Sequence, residues 1–221
     1  MTKQKIAFQG EKGAYSHLAC EELFKNAEIK TCSSFLETFK TAYDDEEYKI
    51  IIPLENSLAG RVADIHYLLT KYKLQIYGEH FQKVEHNLLS KQGVEFKDVK
   101  IVRSHSQAIG QCQNIINKNK FKTIISADTA GSAKDLSEGN DNSIAAIASE
   151  LSAKIYKLKI LKRNIEDEAG NVTRFLIMGK NAQHPEYDKN KKYITSCIFR
   201  LKSKPSALYK SLGGFATNQI N

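Results

Sequence analysis

Lys100-Ile101-Val102-Arg103-Ser104-His105-Ser106-Gln107 decides the architecture of this chain. A short apolar run gives way to hydroxyls and an amide, and helical spacing then carries on to Lys118. A continuous apolar run followed by helical periodicity reads as a strand feeding a helix. The same unit recurs downstream: Thr123-Ile124-Ile125-Ser126 before a helix over Thr129 to Leu136, and Ser143 to Ala148 before a helix over Glu150 to Tyr156. Upstream, Ile6-Ala7-Phe8 precedes a helix from about Ser16 to Asn26. Ser33-Ser34 opens another, with Phe35, Thr38, Phe39 and Ala42 at helical spacing. Lys49 to Leu54 is an apolar strand, Val62 to Tyr72 a helix, and Leu74 to Tyr77 and His80 to Leu89 are strands. Repeated strand, helix, strand predicts an α/β architecture with mainly parallel sheets.

Four of the joints share a composition: Gly13-Ala14-Tyr15-Ser16, Glu55-Asn56-Ser57-Leu58-Ala59-Gly60, Ser104-His105-Ser106-Gln107 and Asp128-Thr129-Ala130-Gly131-Ser132. One such joint is an ordinary helix N-cap. Several of them facing one cleft would hold an anion, because helix N-termini carry free N–H groups and partial positive charge. In open α/β sheets ligands gather at the carboxyl ends of the strands. Glu55 follows an apolar strand and Pro53, where a carboxylate is either a cap or a half-buried catalytic group. Gln111, one turn into its helix, would lie near Ser104 and point at a ligand.

Gly170-Asn171-Val172-Thr173-Arg174-Phe175-Leu176-Ile177-Met178 adds a hydroxyl and a guanidinium side by side before an apolar run. Arginine is scarce, with five in the chain, and three of them (Arg61, Arg103 and Arg174) lie in or beside these segments. A guanidinium grips a carboxylate in two places, and a neighbouring hydroxyl can pass a proton. The pair suits a site that holds an acid and protonates it.

The bulk numbers exclude several classes. The 221 residues carry a net charge of +8 with 41% hydrophobic residues, an ordinary globular composition. The lysines are interleaved with Glu and Asp along the whole chain, with no compact basic block, so nucleic acid is not the expected partner. Cysteines 20, 32, 112 and 197 form no CxxC pair and read as reduced thiols. No apolar stretch is long enough for a signal-peptide core or a membrane span, so a cytoplasmic protein is expected. The six histidines form no HExxH or similar pair, and GxGxxG and GxxxxGK[ST] are absent, so neither metal nor nucleotide cofactor is expected.

After Gly179 the pattern changes. Residues 181–192 are polar, contain Pro185 and read as a linker. Tyr193 to Leu201 alternates as a strand, and Pro205 to Gln219 reads as a helix with Leu208, Leu212 and Phe215 on one face. One strand and one helix cannot bury a core of their own.

Taken in order, these segments resemble prephenate dehydratase. The resemblance runs through Ala7-Phe8-Gln9-Gly10 to His17, Pro53-Leu54-Glu55-Asn56, His86-Asn87-Leu88-Leu89, Ser104 to Cys112, Asp128 to Ala133, Ala145 to Ser149, and Asn171-Val172-Thr173-Arg174-Phe175. It implies a catalytic domain over 1–180, built as two α/β lobes around a cleft like type 2 periplasmic solute-binding proteins. Lobe 1 would span about 1–78 and 160–180, and lobe 2 about 79–159. It implies loss of water and carbon dioxide from prephenate to give phenylpyruvate, without metal or redox cofactor. Thr173 matches the family's catalytic threonine and Arg174 its arginine, with Glu55 beside them. Asn56, Ser57, Ser104, Gln111, Thr129 and Phe175 fall at positions of the family's substrate cleft. Ser106 and Ser132 stand where the family often has Pro and Ala.

Residues 193–221 resemble the first strand and helix of an ACT regulatory domain, cut short before the Glu-Ser-Arg-Pro type motif used in phenylalanine sensing. The expectation is a folded dehydratase part and a frayed stub, with phenylalanine an effector only of an intact ACT domain. The family usually forms homo-oligomers. Arogenate dehydratase shares these motifs, and a binding module for an aromatic acid shares the fold.

Overall fold

The computed structural model describes residues 3–181, 186–191, 193, 195, 197 and 199–220. The chain divides into two compact units, Met1–His184 and Pro185–Asn221. In order, the first unit contains β1 (Lys5–Gln9), α1 (Tyr15–Leu23), β2 (Glu28–Cys32), α2 (Phe35–Asp44), β3 (Tyr48–Asn56), β4 (Gly60–Arg61), α3 (Asp64–Tyr72) and β5 (Gln75–Lys83). It continues with β6 (Asn87–Ser90), β7 (Ile101–His105), α4 (Ser106–Gly110), α5 (Gln113–Asn119), β8 (Lys122–Ser126), α6 (Thr129–Glu138), β9 (Ile144–Ala148), α7 (Glu150–Ile155), β10 (Lys159–Lys162) and β11 (Val172–Gly179).

Two sheets result. The first has the order β2-β1-β3-β11-β5, with β4 paired to β3, and the second β10-β6-β9-β7-β8. Each is mixed rather than mainly parallel: β1, β2 and β3 run parallel, as do β7, β8 and β9, whereas β11, β5, β6 and β10 pair antiparallel. The antiparallel strands are those beside the crossings between lobes, where the chain turns back instead of passing through a helix.

β3 is apolar at every position from Ile50 to Ile52 because both faces of its sheet are covered. Ile50 and Ile52 pack with Phe39 and Ile65 of α2 and α3, while Ile51 packs with Ile6, Phe8, Ala19 and Phe175 on the α1 side. The second sheet repeats the scheme, with Val102 and Ile147 against Ala108 and Ile116 on one face, and Ala146 and Ala148 against Ala133 and Leu136 on the other.

The crossings lie later than the sequence suggests. β5 remains in the first sheet to Lys83, paired along its length with β11, so residues 79–83 belong to lobe 1 rather than lobe 2. β10 pairs with β6 in the second sheet, so the return follows Lys162. β5 is an edge strand whose polar, exposed positions give no period-2 apolar face; its ladder to β11 holds it. The two connecting segments, 84–86 and 163–171, run side by side, with the Val84 N–H donating to the Asn171 carbonyl (2.9 Å) and the Ile165 N–H to the His86 carbonyl (2.9 Å).

A third joint ties the lobes. The β1–α1 loop lies on α7, where the Ser149 and Ser152 hydroxyls both donate to the Gly13 carbonyl (2.5 and 3.0 Å) and the Tyr156 hydroxyl donates to the Lys12 carbonyl (2.9 Å). On the other side the Gly13 N–H donates to His17 Nδ1 (3.0 Å), which requires that nitrogen to be unprotonated. Burial holds the His17 imidazole below its ordinary 6.5, against the pull of Glu21. The unfolded imidazole takes a proton near that value and the folded one only at lower pH. Stability is therefore fully present above about pH 6.5 and falls as pH drops through that window. Buried His86 is shifted the same way by the same cause. The urea midpoint should be lower at about pH 5.5 than at about 7.5, and equal midpoints would count against this account.

In the second unit α8 (Ala207–Thr217) forms within the expected helix, with Leu208, Leu212 and Phe215 exposed. The strand expected over residues 193–201 falls partly outside the described residues.

Candidate active site

A cleft of about 590 Å³ opens at the carboxyl ends of β1, β3, β7 and β8, a volume suited to a small molecule. All four joints line it, through Ala14, Tyr15 and Ser16, Asn56 and Gly60, His105 and Gln107, and Asp128 and Thr129. The second joint is a hairpin into β4 rather than a helix start. Thr173, Phe175, Gln111 and Thr129 also line the cleft.

β11 places Thr173 opposite Asn56 of β3, and directly paired residues of neighbouring strands share a face. The Asn56 amide nitrogen donates to the Thr173 hydroxyl oxygen (2.9 Å) and to Asn171 Oδ1 (2.6 Å). The Asn171 amide nitrogen donates to Gln111 Oε1 (2.8 Å), so one chain of amides links β3, the return segment and lobe 2. Its polarity is fixed at one end. Asn56 Oδ1 accepts from the backbone N–H groups of Leu58 (3.0 Å) and Ala59 (2.8 Å). Reversing the Asn56 amide would set its NH₂ against two N–H donors. Asn56 must therefore donate toward Thr173, so the Thr173 oxygen accepts and its own proton points elsewhere. Among the described residues no acceptor takes that proton, and Thr173 lines the cleft while only 9% exposed.

Gln111 owes its position to a break inside the helix expected over Gln107 to Lys118. That stretch is two helices, α4 and α5, with Gln111 and Cys112 between them. The carboxylate of Asp167 caps α5 by accepting from the N–H groups of Gln113 (2.7 Å) and Asn114 (3.0 Å), and the Asp167 N–H donates to the Gln111 carbonyl (2.7 Å). The break thus rests on a cap from the return segment.

Four expected site residues do not face the cleft. Arg174 alternates with Thr173 along β11 and lies on the opposite face, opposite Glu55. Its guanidinium donates to Glu55 Oε1 (3.1 Å) and Glu79 Oε2 (2.7 Å) and sits over the Phe81 ring, so it is already engaged by two carboxylates. Those hydrogen bonds outweigh burial and raise its pKa overall, although burial is the largest single influence and acts to lower it. Ser57 joins the β3–β4 turn to the return segment: its hydroxyl donates to the Gly170 carbonyl and accepts from the Val172 N–H, both at 3.0 Å. Ser104 is fully buried and donates to the Ile147 carbonyl (2.7 Å), bracing β7 against β9.

The cation at the cleft is instead Arg61 of β4. Among the described lining residues it is the one arginine or lysine, and it is exposed. In the sequence only the scarcity of arginine marks it. Asn171 carries no such mark, because the Gly170-Asn171 pair resembles a plain turn. Tyr15 and His86 also line the cleft. The site can hold a small acid at Arg61 and present to it one hydroxyl proton from Thr173, while the first turn of α6 is capped by the Asp128 carboxylate, which accepts from the Gly131 N–H (2.6 Å). Among the described residues no group of three or more His, Cys, Asp or Glu is placed to hold a metal ion, and no helix is long and apolar enough to cross a membrane.

The chain is similar to known proteins along most of its length. Residues 6–183 match the family model described as prephenate dehydratase. The chain is 40% identical over 98% of its length to a bifunctional N-acyl-homoserine lactone acylase/prephenate dehydratase of Komagataeibacter europaeus, covering 76% of that protein. It is 39% identical over its full length to a chloroplastic arogenate dehydratase/prephenate dehydratase of Arabidopsis thaliana, but spans only 57% of it. The crystal structure of a prephenate dehydratase from Staphylococcus aureus superposes with a TM-score of 0.78 at 27% identity, covering 98% of this chain and 80% of that one.

Proposed function

Since the chain belongs to the prephenate dehydratase family, we propose that this cleft converts prephenate to phenylpyruvate with Thr173 as the proton donor. The ring hydroxyl of prephenate leaves only if it gains a proton. Loss of the ring carboxylate as carbon dioxide then supplies the electron pair and restores aromaticity. One observation carries the reading: the Thr173 oxygen is occupied by the Asn56 amide, which leaves its proton for the cleft. Accepting that hydrogen bond also stabilises the alkoxide character the oxygen acquires as it gives up its proton. Arg61 grips one substrate carboxylate, and the Thr129 hydroxyl is available to another polar group. Phe175, two residues along β11, adds an apolar wall to the same cleft.

Glu55, Arg174, Ser57 and Ser104 act in this reading by holding strands in place. Residues 193–221 are assigned to the opening of an ACT domain, supported by the exposed apolar side chains of α8 among the described residues. Phenylalanine is the expected effector of a complete domain of that kind. A cytoplasmic location belongs to the same proposal. Incubating the purified chain with prephenate and, separately, arogenate tests the reaction. Phenylpyruvate from prephenate is the expected result, and phenylalanine from arogenate alone would move the substrate to the amino compound. A folded chain that binds prephenate without turnover would make it a binding module.

A further inference from the structure

The amide chain does not end at Gln111. Gln111 Oε1 also faces His86 Nε2 (2.9 Å), and His86 Nδ1 faces the Tyr15 hydroxyl (2.9 Å), which donates to the Glu85 carbonyl (2.8 Å). His86 is buried on the segment that crosses from lobe 1 to lobe 2. Its ring has two tautomers, and the rest of the chain selects one. The backbone of Leu58 and Ala59 fixes Asn56, Asn56 fixes Asn171, and Asn171 donates to Gln111 Oε1. The atom of Gln111 that faces His86 is therefore an acceptor, and His86 Nε2 must carry a proton. Burial favours the neutral ring, so Nδ1 is bare and shares the single Tyr15 hydroxyl proton with the Glu85 carbonyl. Burial also pushes that phenol well up, so it stays protonated.

We propose that His86 is a positioning residue of the dehydration step: as the Nε2–H tautomer held by Tyr15, it fixes the Gln111 and Asn171 amides and through them the direction of the Thr173 proton. This role rests on Thr173 being the donor. If His86 presented a bare Nε2, the Gln111 amide would turn to donate, Asn171 would turn to accept, and Asn171 would present NH₂ to the NH₂ of Asn56. That conflict would displace Asn56 from Thr173. His86 touches neither Thr173 nor Asn56, so its influence passes through the two amides. Gln111 comes from lobe 2 and Asn56 from lobe 1, so the donor is aimed only when both lobes hold their places about the crossing.

Two measurements test this. Nitrogen NMR of histidine-labelled protein at about pH 7.5 should show His86 with a protonated Nε2 and a bare Nδ1, and Tyr15→Phe should weaken that preference. A protonated Nδ1 with bare Nε2 in the parent would overturn the proposal whatever the activity. In kinetics, His86→Gln keeps a donor near the Nε2 position, whereas His86→Asn keeps only the Nδ1 side. His86→Asn should lower kcat for prephenate by about tenfold or more with KM little changed, and His86→Gln should recover most of it. A purely packing role would lower the stability of both variants and leave kcat alike in the two. Parental kcat in His86→Asn would likewise defeat the idea. A parent chain that never turns over prephenate would instead defeat the dehydratase reading, with the tautomer spectrum still standing as the record of His86 itself.

Discussion

Thr173→Ala should lower kcat for prephenate by about 10²–10⁴-fold while leaving KM within a few-fold. The substitution removes the one hydroxyl in the cleft, among the described residues, whose oxygen is held by a side-chain donor and whose proton is not. Binding rests on other groups, chiefly Arg61 and the Thr129 hydroxyl, and these stay in place. The Asn56 amide keeps its second acceptor, Asn171 Oδ1, and only the hydrogen bond to Thr173 is lost, so the stability cost should be about 1 kcal/mol. Thr173→Ser retains the hydroxyl on a freer side chain and should keep most of the rate. Thr173→Val matches the shape of threonine without the oxygen, and should be as slow as alanine. Steady-state kinetics on the three variants checks this. A fast valine variant would remove Thr173 from the chemistry, and a large rise in KM at constant kcat would make it a binding residue.

Much of the fold was legible because period and punctuation survive in single segments. The unbroken apolar run around Ile50-Ile51-Ile52 read as a strand, and Ser34 or Asp128 before a helical run announced a cap that the structure contains. What was not legible depends on residues far away in the chain. β5 looked like a broken strand at Gly78, since its continuity comes from β11, about a hundred residues later. The division of α4 from α5 comes from Asp167. Site residues divide along the same line. Asn56 and Thr173 sit in short motifs and face the cleft. Glu55 and Arg174, adjacent to them in the same motifs, face away, because a strand sends neighbours to opposite sides. Adjacent residues in a motif therefore cannot all be assigned to one site once the motif lies on a strand. Ser104 misled for a different reason: a hydroxyl at the end of a strand is equally suited to a ligand or to a neighbouring carbonyl, and here it is given to Ile147.

Gly13→Ala should be the most damaging small substitution outside the chemistry, costing about 2–4 kcal/mol of stability. Two penalties add. Gly13 adopts φ +96°, which L-residues rarely reach, and a Cβ there would lie 2.5 Å from Ser152 Oγ and 2.8 Å from Ser152 Cα. The hydroxyl can rotate away but the backbone of α7 cannot, so Ser152→Ala in the same chain should restore little. Both polar groups of the Gly13 backbone are engaged, the N–H by His17 and the carbonyl by Ser149 and Ser152. Moving the loop off α7 would leave those buried groups without partners and release the joint between lobes. Gly93 supplies the control: its φ is +81° and a Cβ added there would meet nothing within 4 Å, so Gly93→Ala should carry the backbone penalty alone, about 1–2 kcal/mol. Urea unfolding of the two variants separates strain from collision. Because the same loop leads directly into Tyr15, the first residue of α1, which holds His86, Gly13→Ala should also depress kcat where Gly93→Ala leaves it intact. Equal stability losses in the two would mean that the loop yields without cost and that the joint with α7 does not hold the lobes.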